Sequence, residues 1–395
     1  MRARGLGRRL LLSPPVLLAA ALASGAARGQ ADSGALSLSE FYRHTMSAVE
    51  ATAAVTDWLD RCIATHRRCY APAGRYRVAA PVILDLTKND IASIEIYGDG
   101  MQQSVFDVVA PPGEMAGPAP AVAIRCGDRH CDYYYLHLHD LGIMTHNAGI
   151  SLQVAKPDFS DALNSADFRN VWVGNDNPDE HVVVCQLNYV LSSVFENLLC
   201  NGHGAGVALQ IRQVEFTSFV AGSFSNAGTG LHITGGISFG NLFTTPDFEN
   251  VVDAVRQDSR GAQGNTVIGG QFSWSGHAIV SSASGTGGLR FISPNFQSSG
   301  FYRGTVLDPE HYAGVVVTGN FGLGVTPPVP PSGMPLANKT GQQQIVTVWG
   351  GEVSLVRLND FDLRVGSGSF PLRPGQSIAI FYSRPPSWLW SPLAN

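Results

Sequence analysis

Charged side chains are scarce in this chain. They make up 14% of its 395 residues, and the net charge is only −5. Outside the first ten residues there is no cluster of Lys and Arg, so no nucleic-acid partner is expected. Also missing is an apolar run of the ~20 residues that a spanning helix needs. The one approach to it, Leu10 to Ala23, is shorter and is interrupted by Pro14-Pro15. Helical periodicity is absent too, save in one stretch near the N-terminus. Glycine, by contrast, is abundant: 44 residues, above the usual ~7%, which suits strands joined by tight turns.

What is present is a ladder. Phe224, Phe248, Phe272, Phe296 and Phe321 stand 24, 24, 24 and 25 residues apart, each closing a similar tripeptide such as Gly222-Ser223-Phe224 or Pro246-Asp247-Phe248. Phe195 and Phe168 extend the series backwards at steps of 29 and 27. A fixed period in this range marks one supersecondary element stacked on itself. Between the Phe residues lie short apolar runs, among them Gly230 to Thr234 and Gly314 to Thr318, broken by Gly, Ser and Asn. A coil of this length holding two or three strands is one rung of a right-handed parallel β-helix. Its apolar face is buried only when rungs pile up.

The first residues read as a secretory signal, 1–30. Arg2, Arg4, Arg8 and Arg9 precede the apolar run, and small residues follow around Ala26 to Ala31. The mature protein is therefore expected to be secreted, periplasmic or extracellular, with no stable membrane insertion after cleavage. Cys62/Cys69, Cys126/Cys131 and Cys185/Cys200 fall into sequence-local pairs. Their connectivity stays open, but local pairs are the least demanding in a solenoid. Cys126, His130, Cys131, His137 and His139 also cluster as a metal set would. An oxidising compartment favours disulfides over that reading.

Helical periodicity covers Ser37 to His66 and completes an N-terminal arm and capping helix, 31–66. The coil is expected over 67–325. Thr326 to Pro335 is Pro-rich, and 326–337 reads as a semi-rigid linker. Alternation in Ile345–Trp349, Val353–Leu358 and Ile378–Tyr382, with turns at Gly350-Gly351 and Arg373 to Gly375, places a small antiparallel β-module at 338–395.

Two stretches carry a resemblance. Pro72, Ala73, Gly74, Tyr76 and Val78, followed by Gly98, Asp99 and Gly100, resemble the opening pattern of pectate-lyase-like and rhamnogalacturonase-like β-helix proteins. There a helix covers the open end of the coil. Near the C-terminus, Leu372, Pro374, Gly375, Ser377 and Ile378, with Tyr382, Ser383, Pro386 and Trp388, resemble a module of phage tailspike-like proteins that serves trimer assembly or attachment. The resemblance implies a polysaccharide partner and a homotrimer. It is specific for fold and says little of reaction, because this scaffold carries lyases, hydrolases, epimerases and inert adhesins.

Hydrolysis of a sugar bond asks for two carboxylates across a groove, and neighbouring rungs lie about 4.8 Å apart. Glu196, Glu215, Asp247 and Glu249 are the candidates, with His203 in Cys200-Asn-Gly-His-Gly204. That pentapeptide resembles the Gly-His-Gly of polygalacturonases. The aspartates expected before the upstream Cys185 are Val183 and Val184, and no Arg-Ile-Lys triplet follows. His203 reads equally as a turn histidine between glycines. A lyase would need a base and Ca²⁺ held by acidic side chains, for which Asp176 to His181 offers oxygen ligands; otherwise no cofactor or metal is expected. Trp172, Trp274, Tyr302 and Tyr312 could stack on sugar faces, Trp274 and Tyr302 being the substrate-binding candidates. Two functions remain: a glycosidase or lyase acting on an acidic or capsular glycan, and a non-catalytic glycan-binding or structural β-helix.

Overall fold

A computed structural model describes residues 34–88, 93–109, 119–126, 135–259, 261–273, 277–281, 289–294, 315–318, 326–339 and 343–392. Its main body is a right-handed parallel β-helix, as the opening pattern implies. One long sheet runs from Leu36–Ser37 through Cys69–Ala71, Ser93–Gly98, Tyr135–His146, Asp167–Asn175, Val194–Asn201 and Ser218–Val220 to Val315–Thr318. A second parallel sheet closes the back of the coil, from Val82–Asp85 to His277–Ser281. Leu163–Asn164, Val190–Leu191 and Val214–Glu215 form a third, narrow sheet at a corner.

The long sheet is bent along a line of single left-handed residues. Asp140, Asn170, Asn197, Ala221, Thr245, Gly269 and Ser293 all have φ between 48° and 64°. From Asn197 onward they recur at 24-residue steps (197, 221, 245, 269, 293). Asn and Asp tolerate this conformation and here also bond along the axis. Asn170 donates to Asp140 at 2.9 Å, and Asn197 to Asn170 at 3.0 Å. The bend divides the outer surface into a first and a second face.

The same bend corrects the phenylalanine series. Phe224, Phe248 and Phe272 do stack, on the second face's inner side. Phe168 and Phe195 belong instead to a separate inner column on the first face, continued by Phe219, Phe243, Val267 and Phe291. A coil thus carries two inward aromatic positions, one on each side of its left-handed corner. Phe219 and Phe243 are stacked at 4.5 Å with planes 6° apart. Every described Phe of both columns is buried, each worth about 1.5–3 kcal/mol of transfer free energy. Phe296 and Phe321 lie outside the described residues. Beside the columns a buried polar row answers the backbone of the turn: Asn241 accepts from the Thr217 N–H and donates to Val214 O and Asn265 Oδ1.

The N-terminal helix is shorter than the periodicity predicts. Leu38–Glu40 is a 3-10 turn, and the α-helix is Ala48–Thr65. Ser47 and Glu50 form a capping box that starts the helix, and His66, left-handed, ends it. Its buried face (Ala51, Val55, Trp58, Leu59, Cys62, Ile63) covers the end of the coil. Cys62 is bridged to Cys69 on the first coil, and Cys185 to Cys200 across the interior between back sheet and second face. Cys126 is buried; Cys131 and His130 lie outside the described residues.

At the C-terminus Gln344–Trp349, Glu352–Leu358, Gly368–Leu372, Ser377–Arg384 and Ser387–Pro392 pair antiparallel in two small sheets with their own core. The Pro-rich segment lies against this module. Trp388 Nε1 donates to Pro327 O and Tyr382 Oη to Pro330 O, both at 2.7 Å.

Candidate functional site

The second face carries an outward row in the order Gly142, Trp172, Leu199, Ser223, Asp247, Gln271, each on the next rung. A neighbouring row runs Met144, Gly174, Asn201. Trp172 is therefore on the outer surface and not in the core. Its indole lies against Gly142 and Gly174. A Cβ on Gly174 would come within 2.7 Å of the ring and one on Gly142 within 3.2 Å. Two glycines make the space for one aromatic platform.

Beside the platform is an open cleft of ≈ 520 Å³, lined among others by Trp172, Asp176, Asn201, His203, Asn226 and Asn250. The asparagines form a ladder at the corner after the second face. Asn250 donates to Asn226 at 2.7 Å, and Asn226 to Asn201 at 2.9 Å. Asn226 and Asn250 hold left-handed φ of 52°. The Gly202-His203-Gly204 turn forms the rim. Gly202 N and Gly204 N donate to Ser225 O and Asn226 O of the next rung. A side chain on Gly202 would meet Asn226 O at 2.7 Å. The glycines thus hold the turn close to the coil, which leaves His203 exposed at the cleft.

Asp247 and Glu249 share the strand Asp247–Glu249 and, being two residues apart, point to the same outer side. Ser223 Oγ donates to Asp247 Oδ2 at 3.2 Å. Burial pushes the Asp247 carboxyl above its usual range; the Ser223 hydrogen bond opposes this, and the Glu249 charge adds to it. Glu249 is exposed and adjoins Asn250 of the cleft.

The structure separates the remaining candidates from this pair. Glu196 is on the first face, exposed, with Arg169 at 3.8 Å. It ends a polar network in which His139 bonds Glu95 and Asp140 (3.0 and 2.8 Å) and Arg169 bonds Asp167 (2.9 Å). These charges answer one another within the wall. Glu215 stands on the narrow corner sheet, its carboxyl pushed up by burial, away from both faces. Val183 and Val184, where polygalacturonase-like aspartates would stand, are buried in the back sheet. Trp274, Tyr302 and Tyr312 lie outside the described residues.

Two carboxylates of the Asp176 to His181 loop are engaged by histidines. Asp176 bonds the His146 ring, and Asp179 bonds the His181 backbone and ring. Among the described residues no three His, Cys, Asp or Glu side chains are disposed to hold a metal ion. His146 itself is clamped from both sides, its Nε2 donating to Asp107 at 2.7 Å and its Nδ1 to Asp176. With a carboxylate on each nitrogen the ring is held as imidazolium. Burial works against that charge, but the bonds to Asp176 and Asp107 outweigh it and raise the pKa.

The asparagine ladder and the His146 clamp are absent from the sequence-level candidates. Asn201, Asn226 and Asn250 stand at steps of 25 and 24, which is the signal that could have revealed the ladder. The clamp has no periodic signal, because its members come from coils of unequal length.

No protein-family model and no curated protein sequence matches the chain. Among solved structures it is similar to the enzymatically active domain of tailspike protein 2 of bacteriophage CBA120, with 12% identity over 92% of this chain and 71% of that one, TM-score 0.42. It is similar to the DFA-IIIase of Arthrobacter chlorophenolicus A6, with 11% identity over 73% and 93%, TM-score 0.35. It is also similar to the Agl-KA catalytic domain, with 11% identity over 73% of this chain, TM-score 0.34. It spans 65% of that domain, less than two thirds. These likenesses concern the course of the chain and nothing of its chemistry.

Proposed function

We propose that this protein is a polysaccharide-acting β-helix that hydrolyses a glycan lying along its second face. The observation that carries the reading is the Asp247–Glu249 pair, whose Asp247 stands on the outer row that also holds Trp172. Asp247, whose carboxyl burial biases toward the neutral form, is the general acid and gives its proton to the departing glycosidic oxygen. Glu249 takes a proton from the water that attacks the anomeric carbon. The two Cα atoms stand ~6.7 Å apart by the rise of an extended strand, and we assign the inverting arrangement, in which a water sits between the two carboxyl groups. Trp172 stacks on a sugar about three strand spacings, ~14 Å, away.

Hydrolysis is favoured over elimination because the acidic loop that would serve a lyase bonds to His146 and to itself. Export and a homotrimer built through the C-terminal module belong to the same reading. Two cystine bridges support an oxidising compartment.

The test is release of reducing ends from a polysaccharide panel, read together with the absorbance of unsaturated uronates. Reducing ends alone, lost in Asp247→Asn and Glu249→Gln but not in Glu196→Gln, are the expected result. Unsaturated products, or full activity in both variants, would overturn it. Binding without cleavage would assign the face to glycan attachment.

A further inference from the structure

The groove also limits what the glycan can be. Resting on the reading of the second face as a glycan site, we infer that its ligand is a neutral polysaccharide and not a uronate or sulfated one. Among the described residues the cleft lining holds no Lys or Arg. Its charged members and neighbours, Asp176, Asp247 and Glu249, are all acidic. Arg75 and Arg77 stand on the rungs beyond Gly142, on the side of the platform away from Asp247, and His146 is held between Asp107 and Asp176; on the first face Arg169 is bonded to Asp167 and faces Glu196. Along the interval from Trp172 to Asp247 a polyanion would bring its charges against Asp247 and Glu249 with no Lys or Arg on the outward rows between, an arrangement that disfavours binding there.

What the groove offers instead is a row of neutral amides. A side-chain amide has two N–H donors and a carbonyl with two lone pairs. Asn226 spends one N–H on Asn201 and one lone pair on Asn250. That leaves one donor and one acceptor directed away from the ladder. The rungs repeat this pair at about 4.8 Å, close to the advance of one sugar along an extended chain. A hydroxyl both donates and accepts, so a neutral sugar can use both halves of each amide; a carboxylate or sulfate uses only the donor. Trp172 adds an aromatic face for the apolar side of a pyranose. The ligand is thus an extended hexose or pentose polymer running along the coil axis.

The experiment uses the full mature chain carrying Asp247→Asn, so that binding is read without cleavage, and polymers that differ only in charge. Polygalacturonate is compared with its carboxyl-reduced galactan, and alginate with its carboxyl-reduced form, beside neutral glucan, mannan and xylan, by affinity electrophoresis at low salt. At least one neutral polymer is expected to bind, and any polymer of the matched pairs that binds should do so at least ~10-fold more tightly when reduced. Asn226→Gly keeps the left-handed corner and removes the amide. It should weaken that binding about 5- to 10-fold, read at a temperature well below the melting of both proteins. Equal or tighter binding of an acidic polymer overturns the inference. If the wild type also cleaves that polymer and Asp247→Asn does not, the hydrolase reading stands while the neutral class falls. A neutral polymer bound but never cleaved keeps the class and removes the hydrolase. No binding to any polymer overturns both.

Discussion

Ser223 Oγ donates to Asp247 Oδ2 at 3.2 Å across one rung of the second face. This bond favours the ionised carboxyl, and it opposes the burial that favours the neutral one. A general acid must be protonated, so cleavage should fall as pH rises through the Asp247 value. Ser223→Ala removes the opposing bond and raises that value further. The alkaline limb of kcat/KM against pH should therefore move to higher pH in the variant. A limb that stays in place, or moves down, would remove Asp247 from the role of acid.

Phe243 is buried and lies flat on Phe219. Phe243→Ala should cost about 3–5 kcal/mol, read as a lower midpoint in urea. The same loss is expected of Phe248→Ala in the other column. If one variant were nearly neutral, the two columns would not both be core.

His146 makes stability depend on pH. Its folded pKa is raised above the ordinary value of 6.5 by Asp176 and Asp107 despite burial. A raised value means that the clamp's contribution is complete below the unfolded pKa and is lost as pH rises through the folded one. Arg75 also lies 3.5 Å from Asp107. The gap in melting temperature between wild type and His146→Gln should be widest near about pH 6 and should close toward about pH 9. A gap that widened with pH would mean that the ring is held neutral.

The Cys185–Cys200 bridge closes a loop of sequence separation 15. A loop of that size is worth about 3 kcal/mol through the unfolded chain. The double variant Cys185→Ser, Cys200→Ser should melt lower by a corresponding amount, and reductant should lower the wild type toward it. Equal melting of the two proteins would show that the bridge contributes nothing.

The coil, its capping helix and the antiparallel end were legible because each rests on a local pattern: 24-residue steps, three- and four-residue steps, and alternation. The face to which a residue belongs was not. One left-handed residue such as Asn197 turns the strand, so Glu196 and Leu199 point from different faces although three positions apart. Spacing alone therefore joined Phe195 to the Phe224 series, when its true partner is Phe219, 24 residues on. Asp247 and Glu249 were both among the candidates, but the pairing expected was between neighbouring rungs, whereas these two stand on one strand. The cleft beside Glu249 was not legible, because Met144, Gly174 and Asn201 come together from coils of unequal length.

The repeated corner also makes the coil a gauge. Trp172 and Asp247 are separated by three register steps, through Leu199 and Ser223. No loop spans that interval on the outer row, so its length is a whole number of coils. Adding or deleting one coil between Ser223 and Asp247 would shift the carboxylates against the platform by one strand spacing, ~4.8 Å, while leaving each intact. On the proposed hydrolase reading, the number of sugars between the platform and the scissile bond would be set by counting and could change only in whole steps.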